Sequence, residues 1–233
     1  KAGPFSIPEP RQLGPILVAA AMAFGVLIYQ RDLGASLLLF AVFVTMLYAA
    51  TSQASYVAAG GLAVLGGGLL AHQAFDHVQR RVSAWLHPFD DFTDTGYQVA
   101  QALFAMGSGS LTGSGLGLGR PDLIPAASTD FVFAVIAEEM GLAGSIAVIA
   151  AFTLLVAVGF NIALQSRDLF HKLLAAGLVL VLAIQALLIL GGVLRLLPLT
   201  GIALPFMSYG GSSLLANFVL VALLARISHG NRT

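Results

Sequence analysis

The 233-residue chain contains no cysteine and little charge, and each shortage excludes a class of protein. Without cysteine, the chain can form neither a disulfide framework nor a thiolate metal site. Charged residues make up 9% of it, whereas an ordinary soluble domain has about 25%. The formal net charge is zero, which argues against a nucleic-acid partner, because such partners need a basic surface. A soluble domain and a nucleic-acid-binding protein are therefore both disfavoured.

The pattern of a secretory signal does not precede the first hydrophobic segment of the given sequence. The first residue is Lys1, and no charged segment followed by an apolar run and a cleavage site precedes the first hydrophobic segment. We therefore expect the chain to be the later part of a longer protein, or a cut form of one.

Hydrophobic sequence is abundant: it makes up 58% of the residues, and the mean hydropathy is +0.91. A membrane-spanning helix needs roughly 17–25 mostly apolar residues. Six spans are predicted, at 13–29, twice within the uncharged run 33–71, and at 141–164, 173–194 and about 210–225. The polar TSQAS at 51–55 predicts the turn that divides the long run. The sequence therefore predicts an all-α, polytopic membrane helix bundle.

A 65-residue segment, 76–140, separates the third and fourth spans and holds eight of the eleven acids. A loop of this length is usually functional or disordered, and its apolar stretches are too hydrophobic for disorder. We expect it to form short helices at the membrane surface. The predicted divisions are three spans in 1–75, the loop in 76–140, and three spans with a short cytoplasmic tail in 141–233.

Lysine and arginine in short loops indicate the orientation of the bundle. If the C-terminus is cytoplasmic, the short inside segments carry six of these residues and the short outside segments carry two. The inside residues are Lys1, Arg11, Arg167, Lys172, Arg226 and Arg232, and the outside residues are Arg31 and Arg195. This asymmetry predicts that the long loop lies outside.

Four stretches resemble motifs of the RodA/FtsW/SpoVE (SEDS) family of membrane proteins, in the order the family has them. They are YQRDLGAS at 29–36, TGYQVAQALFAMGSGSLTGSGLG at 95–117, TDFVFAVIAEEMGLAGS at 129–145 and LPLTGIALPFMSYGGSS at 197–213. The resemblance covers about the fifth to the tenth transmembrane helix of the family. It implies a peptidoglycan glycosyltransferase that polymerises lipid II outside the bacterial cytoplasmic (inner) membrane, beside a class B penicillin-binding protein, which is a transpeptidase.

Three departures from the family's motifs surround the implied site. Ala126 and Ser128 stand where the family usually has Glu and His before Thr-Asp-Phe. A Gly-Arg-Pro replaces the upstream Gln-Lys pair and leaves Arg120 as the cation there. The family's Asp-Pro motif lacks its proline in DDFTDTGYQ at 90–98. Asp130 itself is retained.

Asp130 matches the family's proposed catalytic aspartate, so the resemblance implies that it is the base that takes a proton from a sugar hydroxyl. Pro125 followed by AAST predicts a helix start with Ser128 or Thr129 as the N-cap, which places Asp130 in the first turn. There the helix dipole favours the charged carboxylate, whereas burial against the neighbouring phenylalanines opposes it. The sequence leaves open which effect prevails, and also whether Asp130 is simply a first-turn acid.

Glu138 recurs at helical spacing after Asp130. On a continuous helix the two residues would lie about 12 Å apart along the axis. This is too far for two carboxylates that act on one bond. Glu138 and Glu139 are therefore expected to bond to backbone ends or to cations of neighbouring loops, with a role in metal or substrate binding as the alternative.

Glycosyl transfer from a lipid pyrophosphate also needs positive charge near the leaving group. Arg120 follows the glycine-rich stretch 107–119, whose backbone N–H groups could form an anion site or belong to a flexible connector. Arg80 and Arg81 could contact the pyrophosphate or anchor the loop at the interface beside Trp85. A divalent cation, Mg²⁺ or Mn²⁺, held by the nearby acids is a further candidate.

Four polar residues complete the candidate substrate site. Gln98 and Gln101 share a face of a short helix and could bind either sugar or loop backbone. Ser208 and Tyr209 could reach the site or belong to a structural turn into the last helix.

Two other functions stay open. A flippase or transporter of the lipid-linked precursor would need ionisable residues near the bilayer midplane, and the predicted spans contain none beyond His72, close to a helix end. A non-catalytic scaffold that holds or activates a transpeptidase is compatible with the substituted positions Ala126 and Ser128.

Overall fold

The computed structural model describes residues 32–90 and 94–231, together with positions 14, 18, 21–23, 25, 29 and 30. All regular structure in this part of the chain is helical, which confirms the predicted all-α class. Five of the described helices are long and apolar enough to cross a membrane, as expected of a multi-pass membrane protein. The predicted span at 13–29 falls largely on residues that the structure does not describe, so it stays a prediction.

The chain divides into two compact units, Lys1–Leu69 and Leu70–Thr233. The predicted division into 1–75, 76–140 and 141–233 is not tested by this and stays a prediction.

In the first unit, α1 spans Leu33–Thr51, and α2, which spans Ala54–Ala74, begins there. The Asp32 carboxylate caps α1 by accepting the Ala35 N–H at 2.9 Å. Ser52 ends the helix in the left-handed conformation, with φ of 56°. The predicted turn in TSQAS is therefore confirmed.

The second unit holds the remaining helices. They are α3 (Asp76–Leu86), α4 (Asp94–Ser108), a 3₁₀ turn (Pro121–Leu123), α5 (Val132–Gln165), α6 (Leu169–Val193) and α7 (Gly211–Gly230). Within 76–140 the chain thus forms α3, α4, the 3₁₀ turn and the start of α5; that this segment is a loop at the outer membrane surface stays a prediction. Helix α5 begins at Val132, ahead of the predicted fourth span at 141–164, and passes through Gly141 with a kink; the limits of the span itself stay a prediction.

A short connection, 166–168, joins α5 to α6, and the two helices run antiparallel. Asp168 caps α6: its carboxylate accepts the His171 N–H at 3.1 Å and lies 2.8 Å from Nδ1 of the same residue. The backbone hydrogen bond, followed by the side-chain bond, lowers the pKa of Asp168.

Two apolar cores hold the second unit together. The first joins α3, α4, α5, α6 and the loop before α7 around the fully buried Phe131 and Phe133. The second joins α5, α6 and α7 near the 166–168 connection, around Ala175, Val179 and Leu182. Phe131, a residue of the first core, directly follows Asp130 in the chain. Its burial therefore fixes the position of the segment that carries the Asp130 carboxylate.

Candidate active site

Asp130 lies in a turn rather than in a helix, so its predicted place in the first helical turn is wrong. Helix α5 begins at Val132 with Phe131 as its N-cap. The carbonyl of Ala126 accepts the N–H groups of Thr129 and Phe131, at 3.1 and 3.3 Å, and Ala126 has a left-handed φ of 57°. The backbone therefore turns tightly before the buried Phe131, and this delays the start of the helix.

Burial decides the electrostatics of Asp130. The carboxylate is half-buried, and its desolvation raises the pKa above the ordinary value of 3.8. The adjacent Thr129 side chain and the positive charge of Arg81 lower the pKa by less. A raised pKa makes a carboxylate a better proton acceptor, because the optimum for general-base catalysis lies near the operating pH.

The loop before α7 is fastened to the Asp130 turn through backbone contacts. The buried Ser208 hydroxyl accepts the Leu204 N–H at 2.8 Å and donates to the Thr129 carbonyl at 2.5 Å. The Tyr209 N–H donates to the Ser128 carbonyl at 2.7 Å. Of the two roles that the sequence left open for Ser208, these bonds favour the structural turn. This turn is bonded to the residue directly before Asp130. The Tyr209 side chain is 82% exposed.

Arg81 is the predicted cation whose charge lowers the pKa of Asp130. Its Nη1 donates to the Thr200 carbonyl at 2.9 Å, which ties α3 to the loop before α7. Gly201 gives the guanidinium room, because a Cβ there would lie 3.1 Å from Nη2. Arg80 is adjacent on α3 and exposed.

A second set of hydrogen bonds between α3 and this loop was not predicted from the sequence. The Arg195 side chain donates to the carbonyls of Trp85 and Leu86 at 2.7 and 2.8 Å, and the Trp85 indole donates to the Arg195 carbonyl at 3.0 Å. Arg195 thus satisfies the last carbonyls of α3, which a helix end otherwise leaves unpaired. A cation directly after a predicted helix was the available signal, but its partner lies 110 residues away.

The glycine-rich segment 109–120, here called the strap, crosses α5 at its kink. Four backbone hydrogen bonds join the strap to α5. The N–H groups of Ser114 and Gly115 donate to the backbone carbonyls of Glu138 and Glu139, at 2.9 and 3.0 Å. On the other side of the kink, the N–H groups of Leu142 and Ala143 donate to the carbonyls of Ser110 and Leu111, at 3.0 and 3.2 Å. Gly141, with φ of 64°, breaks the helical bonding and frees these groups. The N–H groups at Ser114 and Gly115 are thus already engaged, which argues against both the anion site and the flexible connector.

Glu138 is buried and bonds to backbone, which is the first of its two predicted roles. Its Oε1 accepts the Arg120 N–H at 3.1 Å. Oε2 is buried without a hydrogen-bond partner among the described residues. The continuous helix assumed between Asp130 and Glu138 does not exist, because α5 begins after Asp130.

Arg120, Gln98 and Gln101 are the remaining candidate substrate residues of the segment 76–140. The Arg120 side chain is 67% exposed and lies 3.8 Å from the Asp122 carboxylate. Gln98 and Gln101 both lie on α4, half-buried and one helical turn apart, so the predicted shared face is confirmed.

The described residues do not form a ready cage for a metal ion. Within ranges 32–90 and 94–231, no group of three or more histidine and acidic side chains comes together. Glu138 already uses one oxygen on the strap, and Asp130 is separated from it by the start of α5. These donors do not fit a divalent cation by themselves.

Comparison with known proteins agrees with the motifs. The sequence matches the cell cycle protein family of FtsW, RodA and SpoVE over residues 4–233. It is 50% identical over 227 residues to peptidoglycan glycosyltransferase RodA of Mycobacterium tuberculosis, and 40% identical over 218 residues to the probable peptidoglycan glycosyltransferase FtsW of Geobacter metallireducens. These matches cover 97% and 92% of this chain, but 48% and 58% of the relatives. The chain thus spans about half the length of the curated relatives it matches.

Two solved structures share the fold. A chain of a peptidoglycan synthase complex, described as coordinating polymerization and crosslinking, superposes with a TM-score of 0.71 at 28% identity, covering 92% of this chain and 61% of that one. An aspartate-to-alanine mutant of rod shape determining protein RodA from Thermus thermophilus gives a TM-score of 0.62 at 24% identity, covering 99% and 61%. With the family match over almost the whole sequence, the chain belongs to the FtsW/RodA/SpoVE family of membrane proteins.

Proposed function

We propose that the protein of which this chain is part is a peptidoglycan glycosyltransferase. It polymerises lipid II into glycan strands on the outer side of the cytoplasmic membrane, beside a class B penicillin-binding protein. The names of the RodA and FtsW relatives support this activity. The observation that carries the proposal is the Asp130 turn. Its backbone is held by the hydrogen bond from the Ser208 hydroxyl to the Thr129 carbonyl, and burial raises the pKa of its half-buried carboxylate.

In this mechanism Asp130 accepts the proton of a sugar hydroxyl as the hydroxyl oxygen attacks the anomeric carbon of a second lipid-linked sugar. The bond from that carbon to the lipid pyrophosphate breaks, and the configuration is inverted. General-base catalysis of this kind contributes about 10²–10⁴ in rate. The raised pKa favours proton uptake. The turn holds the carboxylate in place, so little entropy is lost in orienting it for the reaction.

Positive charge for the departing pyrophosphate comes from the arginines of the loop 76–140. Arg81 is the best placed, since its charge already acts on Asp130. Arg120 is exposed and weakly paired, so a phosphate can reach it, and Arg80 is exposed on the same helix as Arg81. Gln98, Gln101, Glu138 and Tyr209 stay predictions as substrate contacts.

The orientation rests on the distribution of lysine and arginine among the short loops, which favours an outer location for 76–140. A requirement for Mg²⁺ or Mn²⁺ also stays a prediction. It would need donors beyond this part of the chain or the substrate's own phosphates. Chelation with EDTA followed by measurement of polymer would test it directly.

The decisive experiment uses the purified full-length protein, with and without its transpeptidase, supplied with lipid II. We expect wild type to form glycan polymer and Asp130→Asn and Asp130→Ala to form none. Asp90→Asn is the matched control, because Asp90 is an exposed acid of the same loop with side-chain exposure of 77%. Polymer from both Asp130 variants would remove this residue from its role, and polymer from no protein, wild type included, would favour the scaffold or the transporter.

Arg120 is tested in the same assay. We expect Arg120→Ala to raise the KM for lipid II while folding and partner binding are unchanged, because its side chain is exposed and its backbone N–H still reaches Glu138. Unchanged kinetics would end its assignment to the pyrophosphate.

A further inference from the structure

The strap lies at the level where α5 enters the membrane. From Leu142 to Gln165 the helix is 24 residues long, or about 35 Å, slightly more than the roughly 30 Å of a bilayer's hydrocarbon core. The opposite end is polar, with Ser166, Arg167 and Asp168. The kink at Gly141 therefore lies close to the other surface of the hydrocarbon core. The strap is hydrogen-bonded to both sides of this kink, so it lies at that surface too.

The strap presents leucines without any charge beside them. Residues 107–119 contain no charged side chain, and Arg120 follows directly. Leu111, Leu116 and Leu118 are 69%, 77% and 73% exposed. Three such leucines on one short segment would be an unfavourable surface in water, since exposed apolar clusters mark contact sites.

The strap adjoins the first turns of α5 after the kink. Leu142 and Ile146, in the two turns after the kink, are 51% and 56% exposed on this membrane-spanning helix. The Ser110 carbonyl of the strap accepts the Leu142 N–H, so the strap lies where the exposed apolar residues of the span begin. A segment at the membrane interface needs apolar side chains that can enter the acyl region and a polar or cationic residue that can stay among the headgroups.

We propose that the strap docks onto the bilayer, with Leu111, Leu116 and Leu118 inserted among the lipid acyl chains at the membrane surface. The contact holds the strap, and with it the Glu138–Arg120 bond, at a fixed depth. The proposal depends on α5 crossing the membrane and does not depend on glycosyl transfer. A protein partner on the same leucines is the competing occupant, and the position of the strap at the end of a membrane-spanning helix favours lipid.

The absence of cysteine from these 233 residues allows single-cysteine labelling. Leu116→Cys and Leu118→Cys are made in the full-length protein, after replacement of any cysteine outside this chain, and labelled with the environment-sensitive dye NBD. Thr112→Cys is the matched control, because Thr112 is an exposed residue of the same strap. The proteins are placed in nanodiscs of phosphatidylethanolamine and phosphatidylglycerol, with or without doxyl-labelled lipid, and are titrated with iodide.

We expect doxyl lipid to quench the dye at Leu116 and Leu118 severalfold more than at Thr112, and iodide to show the reverse order. Emission at the two leucine positions should also be blue-shifted. Equal iodide quenching at all three positions would overturn the proposal. So would shielding at the leucines that appears only when the transpeptidase is added, since this would assign the surface to a protein. If one leucine variant fails to fold, the other gives the same comparison.

Discussion

Asp130 and Glu138 are two carboxylates eight residues apart in the same motif, and the fold gives them opposite environments. Asp130 is half-buried in a turn outside any helix, and the charge of Arg81 lowers its pKa by less than burial raises it. Glu138 is buried inside a helix and binds the backbone of the strap. The comparison teaches that burial and partners, rather than residue type, separate a carboxylate suited to chemistry from one that holds the structure together. Four predictions test this separation, from the largest expected effect to the smallest.

The first concerns the kink that lets the strap reach Glu138. Gly141→Ala places a Cβ against the backbone of Leu111 and Gly113 at a φ of 64°, so both the strap and the helix must move. We expect a loss of stability of about 3 kcal/mol or more, combining left-handed strain with overpacking. Thermal unfolding in detergent measures it.

Gly117→Ala is the control for this change. Gly117 has a similar φ of 73°, but a Cβ there meets no described atom within 4 Å. It should therefore lose only the strain, about 1–2 kcal/mol. Equal effects of the two substitutions would mean that the close contact at the kink contributes nothing.

The second prediction sets Glu138 directly against Asp130. Glu138→Ala removes the acceptor of the Arg120 N–H and should cost about 1–3 kcal/mol. Glu138→Gln keeps a carbonyl oxygen for this bond, so most of the stability and the activity per folded molecule should be retained. Asp130→Asn should do the opposite, with unchanged stability and no polymer. An inactive but fully stable Glu138→Gln protein would break the comparison, because Glu138 would then take part in the chemistry.

The third prediction concerns Ser208 as a positioning residue. Ser208→Ala leaves the Thr129 carbonyl and the Leu204 N–H without their shared partner, so the Asp130 turn should loosen. We expect kcat to fall about tenfold, which corresponds to about 1.4 kcal/mol, with little change in KM. Ser212→Ala, at an exposed site in the first turn of α7, is the control. A change confined to KM would show that Ser208 contacts the substrate instead.

The fourth and smallest effect is on pH dependence. Activity should fall as the pH drops through the pKa of Asp130, since the protonated carboxyl cannot act as a base. Burial places this acidic limb above pH 3.8, and the charge of Arg81 moderates the rise. Arg81→Gln should therefore move the limb to higher pH. Arg167→Gln, on the α5–α6 connection, should leave it in place, and an equal shift in both variants would remove Arg81 as the cause.

The pKa of Asp130 also bears on stability. Because its pKa is raised in the folded protein, ionisation costs stability at pH values above 3.8, and this cost is relieved as the pH falls through the folded pKa. Asp130→Asn should therefore not lose stability near neutral pH, which agrees with the separation drawn above.

The sequence was sufficient for the features that depend on composition and local spacing. Long uncharged runs predicted the spans of α1, α2, α6 and α7 to within a few residues, because a bilayer fixes the length of an apolar helix. The polar TSQAS predicted the turn after α1, and the motif at 129–145 singled out Asp130. These features need no knowledge of which segments meet.

Only the tertiary structure decided what surrounds each candidate. In the folded chain the turn of Asp130 ends at the buried Phe131, and the charge of Arg81 acts on the pKa of Asp130. Glu138 accepts a hydrogen bond from the backbone of the strap. Ser208 and Thr129 are 79 residues apart, and Arg195 and Trp85 are 110 apart, so neither contact leaves a periodic signal in the sequence. Hydrophobic length is a local property of the chain, whereas the burial that sets a pKa is created only when distant segments pack together.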